Sequence, residues 1–385
     1  MSFKKDKTNN FLSSIAMSLL IISVIFTAAL SGCWKDTGDT VEPDTSDMVE
    51  DGDGITDDGE DEEDKADDGE DSVNGMEITG DINILSGLEI SDTVSDSRPI
   101  ATMVENSPDS RPQSGLINAD IVFEVVDEGG VTRYVAVYSS NDAGTIGPVR
   151  SARIYYAEIA RSFDPVYTFW GTYPEAYDTI KTMDMDALDA NSDAYLPYTD
   201  SGWRDTSRSN ITEHTAFMST EGIKEDASGY GYSLEGGQSP LRFKIDAVDS
   251  EKGDVTDIAI DFSYENYKVD FVYDRDSNKY LKYTAGTPHK DYETGEQIAV
   301  NNVIVMMTSI DGPIDQYGHM VVRTTGTTDN SKAFFFMDGN VIEGTWERSS
   351  VFDPFTFRDD SGNIVLFNRG STWVAMVQSE EKLSY

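Results

Sequence analysis

Three arginines, Arg133, Arg150 and Arg153, lie close together in a chain whose formal charge is −42. The last two belong to the run Gly147-Pro-Val-Arg-Ser-Ala-Arg153, where a loop pattern passes into a helix pattern. Cations in so acidic a setting serve either an anion or a buried carboxylate. With Ser151 capping the helix, the free backbone amides of the first turn and the guanidinium groups of Arg150 and Arg153 would form a pocket for phosphate, sulfate or carboxylate. Arg133, on the preceding strand, converges on it if strand and loop are neighbours. Equally, the three pair with Glu124, Asp127, Glu128 or Asp120 and tie strand to helix. Both readings stay open at the level of sequence.

Acid–base chemistry has few candidates, because the chain holds three histidines. His289 in Pro288-His-Lys-Asp291, with Asp291 two residues on, is the best pair, and Asp120 at the head of a strand is a third candidate. The competing reading of His289 is a loop histidine hydrogen-bonded beside a hairpin. His214 follows Glu213, and His319 lies in Tyr317-Gly-His319. No H-x-x-x-H or H-x-x-E-H spacing exists, so no metal site and no cofactor are expected. The G-x-S-x-G elbow, the P-loop and the G-x-G-x-x-G fingerprint are also missing, which removes the usual signals for serine hydrolases and nucleotide binding. Tyr155, Tyr156, Tyr167, Trp170, Tyr173 and Tyr177 crowd the arginine stretch; such aromatics either line a cleft suited to glycan or peptide, or fill a core.

The elements that must carry these residues come in two blocks. Residues 100–105, 119–126 and 132–139 are β-rich runs separated by turn signals, suited to buried strands of one sheet. A helix is expected from Ser151 through Ala160, then a strand over 165–170, then a helix opened by Pro174 with Ala176, Tyr177 and Ile180 inward. Strand and helix alternate, so residues 98–237 read as an α/β domain of two or three layers. A further helix is plausible at 220–227. Residues 238–385 read as a mainly antiparallel β domain, with strands at 255–262, 269–273, 279–284, 302–308, 334–337, 341–346, 355–358, 364–367 and 372–377 and a hairpin turn at Asp338-Gly-Asn340. The fold class is therefore mixed, α/β followed by mainly antiparallel β, or α+β as a whole.

Ahead of both blocks, Lys4, Lys5 and Lys7 precede an apolar run over residues 11–30 and the small-residue ending Leu30-Ser-Gly-Cys33. That is the pattern of a lipoprotein signal, with residues 1–33 as the signal and Cys33 acylated at the mature N-terminus. An uncleaved membrane anchor is the alternative, since about twenty apolar residues span a bilayer. Cys33 is the chain's one cysteine, which leaves no thiol for a disulfide or thiolate chemistry. Residues 34–75 hold 19 Asp and Glu against two Lys and read, with the polar stretch to residue 97, as a disordered acidic tether. Its Asp-Gly repeats look like calcium loops but lack the flanking helices of an EF-hand. Acidity of this degree excludes nucleic acid as a partner.

The motifs resemble the YerB-like family of Gram-positive lipoproteins. The runs that carry the likeness are Arg98-Pro-Ile-Ala-Thr-Met-Val-Glu-Asn106, Arg111-Pro-Gln-Ser-Gly115, Ala119-Asp-Ile-Val122, Glu128-Gly-Gly-Val-Thr-Arg133, Ile146-Gly-Pro-Val-Arg-Ser-Ala-Arg153 and Pro174-Glu-Ala-Tyr177. In the second half Pro288-His-Lys-Asp291, Asn302-Val303, Gly344-Thr-Trp346 and Gly370-Ser-Thr-Trp373 continue it. Around residues 208–216 the chain departs from the family pattern, carrying Glu213-His214 where a Pro-His step belongs. The resemblance implies a two-domain extracytoplasmic lipoprotein of unassigned activity. A fainter likeness, in Ala119-Asp-Ile-Val122 and the arginine-bearing turn, is to the LytR-CpsA-Psr phosphotransferases, which hold polyprenyl phosphates with arginines.

These observations favour a lipid-anchored protein on the outer face of the cytoplasmic membrane that binds a cell-wall glycan, another anionic ligand or an envelope protein at Arg133, Arg150, Ser151 and Arg153. The alternative is a cell-wall enzyme acting on a phosphorylated or amide-linked envelope substrate. Binding is preferred because no nucleophile with an adjacent base can be named.

Overall fold

Ile100–Glu105 (β1), Ile121–Val126 (β2) and Thr132–Tyr138 (β3) are buried at every position, which is why their sequences lack the alternation of a half-exposed strand. The computed structural model describes residues 77–326 and 331–385, within the compact unit Gly69–Tyr385. Cys33 and the acidic residues up to 76 lie outside the described residues. The remaining long strands are Val166–Phe169 (β4), Ala187–Asp189 (β5), Asp257–Asp261 (β6), Lys268–Asp274 (β7), Lys279–Thr284 (β8), Asn302–Met307 (β9), Lys332–Met337 (β10), Asn340–Glu347 (β11), Thr356–Asp359 (β12) and Thr372–Val377 (β13). Among the described residues three α-helices accompany them: Ile154–Arg161 (α1), Pro174–Thr182 (α2) and Thr220–Gly229 (α3).

Ten strands form one sheet in the order β12-β11-β10-β9-β13-β2-β3-β1-β4-β5. β13 pairs in parallel with both β9 and β2, so segments 98–237 and 238–385 meet inside the same sheet. β1 and β4, and β4 and β5, are also parallel, while β3 runs antiparallel between β2 and β1. The consequence is a common direction for β9, β13, β2, β1, β4 and β5, hence one carboxyl edge and one amino edge. β6, β7 and β8 form a second, antiparallel sheet joined by Leu383–Ser384.

The layers follow from burial. α1 and α2 cover one face of the large sheet, where Tyr156, Ile159 and Ile180 meet Phe123, Val135 and Val137. α3 and the small sheet cover the other, where Ile223, Val269 and Phe271 meet Val122, Ala136 and Trp373. Trp346 and Trp373 are wholly buried on opposite faces, and each removes enough apolar surface to contribute about 5 kcal/mol gross. At Gly344 a Cβ would sit 1.9 Å from the Arg358 carbonyl oxygen, so glycine is what lets β12 close on β11.

Three expectations change. α1 begins at Ile154, not Ser151: residues 150–153 stay extended along the end of β4, where the Ser151 hydroxyl donates to the Trp170 carbonyl (3.1 Å), and Arg153 is the N-cap without a side-chain cap bond. Residues 364–367 form no full strand: Ile364 makes an isolated antiparallel bridge back to Arg358 of β12, and Phe367 bridges across to Phe243. Residues 77–97, assigned to the tether by their polarity, pack on the fold: Leu85 is fully buried, and the buried Asn83 amide binds Ser95, Ser139, Leu85 and Ser86.

Candidate functional site at the carboxyl edge of the sheet

Open sheets with parallel strands place ligands beyond the carboxyl ends of those strands. Here that edge gathers Glu105 from the end of β1, Asp127 and Glu128 from the turn after β2, Arg133 from the start of β3, and Arg150 and Arg153 from the approach to α1.

Arg133 and Arg153 are committed to carboxylates. Arg133 Nε lies 2.8 Å from Asp127 Oδ2, and its Nη1 donates to the Ser151 carbonyl at 3.0 Å. Arg153 grips Glu128 through both arms, Nη2 to Oε2 at 2.9 Å and Nε to Oε1, and stands 3.6 Å from Asp127 Oδ1. Tyr155 donates to Asp127 Oδ1 at 2.7 Å. Burial pushes the Asp127 carboxyl up, but Arg133 and Arg153 outweigh it and hold the group below the usual carboxylate range. Glu128 moves the other way, raised by burial and by Asp127 beside it against the pull of Arg153. Glu124 and Asp120, the other partners the sequence offered, take no part in these pairs. The Arg153 guanidinium lies over the Tyr173 ring, which stacks on His319 at 4.3 Å, and His319 Nδ1 contacts Asp315 at 2.6 Å.

Arg150 differs from both. Its side chain is 26% exposed; among the described residues its only ion pair is Nε to Glu105 Oε1 at 3.5 Å, and its guanidinium makes no hydrogen bond. Burial lowers its basicity by more than Glu105 restores. Glu105 also takes the Ser107 hydroxyl (3.0 Å) and, through Oε2, His214 Nδ1 at 2.7 Å. His214, with Arg111, Pro148, Arg208, Phe217 and Tyr292, lines a small hollow of about 50 Å³. Arg208 is pinned there between the Phe217 and Tyr292 rings and bound to Asp205 and Glu293.

The acid–base candidates lie apart. His289 does not meet the Asp291 carboxylate: its Nδ1 faces Lys282 Nζ at 3.0 Å, and its Nε2 donates to Gln113 Oε1 at 2.8 Å. The Gln113 amide nitrogen donates to the Glu105 carbonyl and Asn106 Oδ1, which leaves its oxygen as the acceptor and fixes the neutral Nε2–H tautomer. Burial, then Lys282 and Arg111, push the imidazole well below its ordinary range. Asp291 instead binds the amides of Gly115 (2.6 Å), Glu293 and Thr294 and shapes a turn. Asp120 sits at the amino edge, taking the Ser139 and Ser140 amides at 2.7 and 2.9 Å and the Ser140 hydroxyl, with its acidity weakened by burial.

Sequence reasoning missed the core of this interior. Lys282 is completely buried, 3.5 Å from Glu124 Oε2 and 4.5 Å from the centre of the Trp373 ring, and burial lowers its ammonium to about 8 against the partial support of Glu124. Glu124 also takes Thr132 (2.9 Å), Asn106 (3.2 Å) and Trp373 Nε1 (3.2 Å). The signal was parity. Tyr280, Lys282 and Thr284 occupy the inward positions of β8, so a lysine stood where an apolar residue belongs.

Comparison with known proteins adds kinship to geometry. Residues 85–233 match the family model described as the N-terminal domain of a protein of unknown function, DUF3048, and residues 258–374 match its C-terminal domain. The chain is 32% identical over 301 residues to YerB of Bacillus subtilis (strain 168), a proposed lipoprotein, covering 76% of this chain and 85% of that one. The crystal structure of the Bacillus subtilis YerB protein superposes with a TM-score of 0.68 at 29% identity, over 79% of this chain and 98% of that chain.

Proposed function

The chain belongs to the DUF3048 family of proteins of unknown function, and from that premise we propose that it is a lipid-anchored binding protein of the cell envelope. Cys33 carries the acyl chains at the outer face of the cytoplasmic membrane, and the acidic residues after it hold the folded unit clear of the lipid. The ligand is anionic, a phosphorylated or carboxylated wall component, and its charged group is held by Arg150 at the carboxyl edge. One observation carries this reading: Arg150 is largely buried at that edge with five donors and no hydrogen bond among the described residues. Arg133, Arg153 and Ser151 position the loop around it, since their polar groups already serve Asp127, Glu128 and Trp170.

Thermal denaturation of the unit from Gly69 onward tests it. A ligand at a hundredfold excess over its Kd stabilises by about 2.7 kcal/mol, which for a unit of this size raises Tm by roughly 4 °C. Phosphorylated wall precursors are expected to produce that rise in the wild type and not in Arg150→Ala. A rise of equal size in both excludes Arg150 as the anion holder.

A second reading, an enzyme acting on a phosphorylated or amide-linked substrate, is favoured by the Glu105–His214 pair next to Arg150, an arrangement able to accept and return a proton. Turnover of a lipid-linked precursor that disappears in His214→Ala would select it; binding without turnover selects the first.

A further inference from the structure

At the opposite, amino edge of the sheet lies a second hollow, of about 370 Å³, within the range of small-ligand sites. Its floor comes from residues at the starts of parallel strands: Asp120 before β2, Asn301 before β9 and Ser371 before β13. Its wall comes from the small sheet, with Lys279 opening β8 and Glu296 and Gln297 ahead of the short strand that pairs with it. The floor is built rather than incidental. Asn301 Oδ1 accepts the Ser371 amide at 3.2 Å, and a Cβ on Gly370 would lie 2.1 Å from that same oxygen, so glycine keeps the Asn301 side chain in place. Asp120 is held by the Ser139 and Ser140 amides and the Ser140 hydroxyl.

The charges around this hollow are unspent. Among the described residues neither Lys279 nor Glu296 has an ion-pair partner, and the two do not pair with each other although both line the same space. A cation and an anion held apart across a cavity match a ligand that carries both charges. No lining residue is aromatic, which removes the stacking platform a sugar would use. Glu296 and Asp120 together repel a polyanion. We propose that this hollow binds a small zwitterion, an α-amino acid or short peptide, with the carboxylate on Lys279, the ammonium on Glu296, and the remaining polar atoms served by Gln297 and Ser371. The site is independent of Arg150, which stands at the other end of the same strands.

Titration calorimetry on the full chain in detergent micelles tests the assignment, with L-alanine, D-alanine and D-alanyl-D-alanine as probes and acetate, methylamine and glucose as controls. At least one zwitterion is expected to bind, with each singly charged control and glucose at least tenfold weaker. Lys279→Gln and Glu296→Gln, both at positions with solvent access, are each expected to weaken binding at least tenfold while the circular dichroism stays that of the wild type. Absence of heat with every zwitterion overturns the proposal, as does binding that both folded variants retain, or acetate binding as tightly as alanine.

Discussion

Replacing Lys282 by Met removes a charge from the centre of the molecule, and its signature is a change in how stability depends on pH. The ammonium titrates at about 8 in the fold and at its ordinary value of 10.5 when exposed. Between those values the unfolded chain binds more protons than the folded one, so stability rises with pH through this window and is lost as pH falls through 8. Between pH 7 and 9.5 the linkage amounts to about 2 kcal/mol in favour of the fold. Lys282 faces Glu124 from β2, His289 and Thr284 from its own sheet, and Tyr134 and Trp373 from β3 and β13, with Arg111 and Asp270 acting at longer range. His289 is neutral throughout the window. The variant keeps three donors on Glu124, from Thr132, Asn106 and Trp373. Urea unfolding followed by tryptophan fluorescence at pH 7, 8, 9 and 9.5 is the assay. Across the series the wild type should gain about 2 kcal/mol relative to Lys282→Met, a difference in which the buried tyrosines, held above their ordinary range in both chains, cancel. Parallel profiles for the two chains would show that Lys282 does not carry this linkage.

Two further outcomes follow from other parts of the chain. Asn83→Ala strips the bonds that bind residues 82–95 to Ser139 and should destabilise the fold by about 2–3 kcal/mol in urea; a loss below about 0.5 kcal/mol would return that segment to the tether. Cys33→Ala should move the protein from the membrane fraction to the soluble fraction on cell fractionation, and its retention with the membrane would count against lipidation.

The central strands β1, β2, β3, β9 and β13 were readable because they are apolar runs buried on both faces, and α2 because Pro174 sets its first turn and Ala176, Tyr177 and Ile180 recur on one side. What escaped depends on contacts made far along the chain. Ser151 has the right type for a cap, yet its hydroxyl is taken by Trp170 and the helix waits for Ile154. Nothing local announces that β13 inserts between β9 and β2, joining residues about 250 positions apart. The Glu105–His214 pair spans 109 positions and occurs where the chain departs from the family pattern, so spacing could not reveal it. The three arginines do gather at one edge of the sheet, as their spacing allowed; which of them keeps its donors unbonded depends on the turn at Asp127 and Glu128, a matter of packing.

A structure of the protein grown with a phosphorylated wall precursor puts the central claim to its most direct test. The anionic group is expected within hydrogen-bond distance of the Arg150 guanidinium, at the carboxyl edge beside Glu105 and His214. Precursor bound elsewhere on the molecule, with the Arg150 guanidinium untouched, would contradict it.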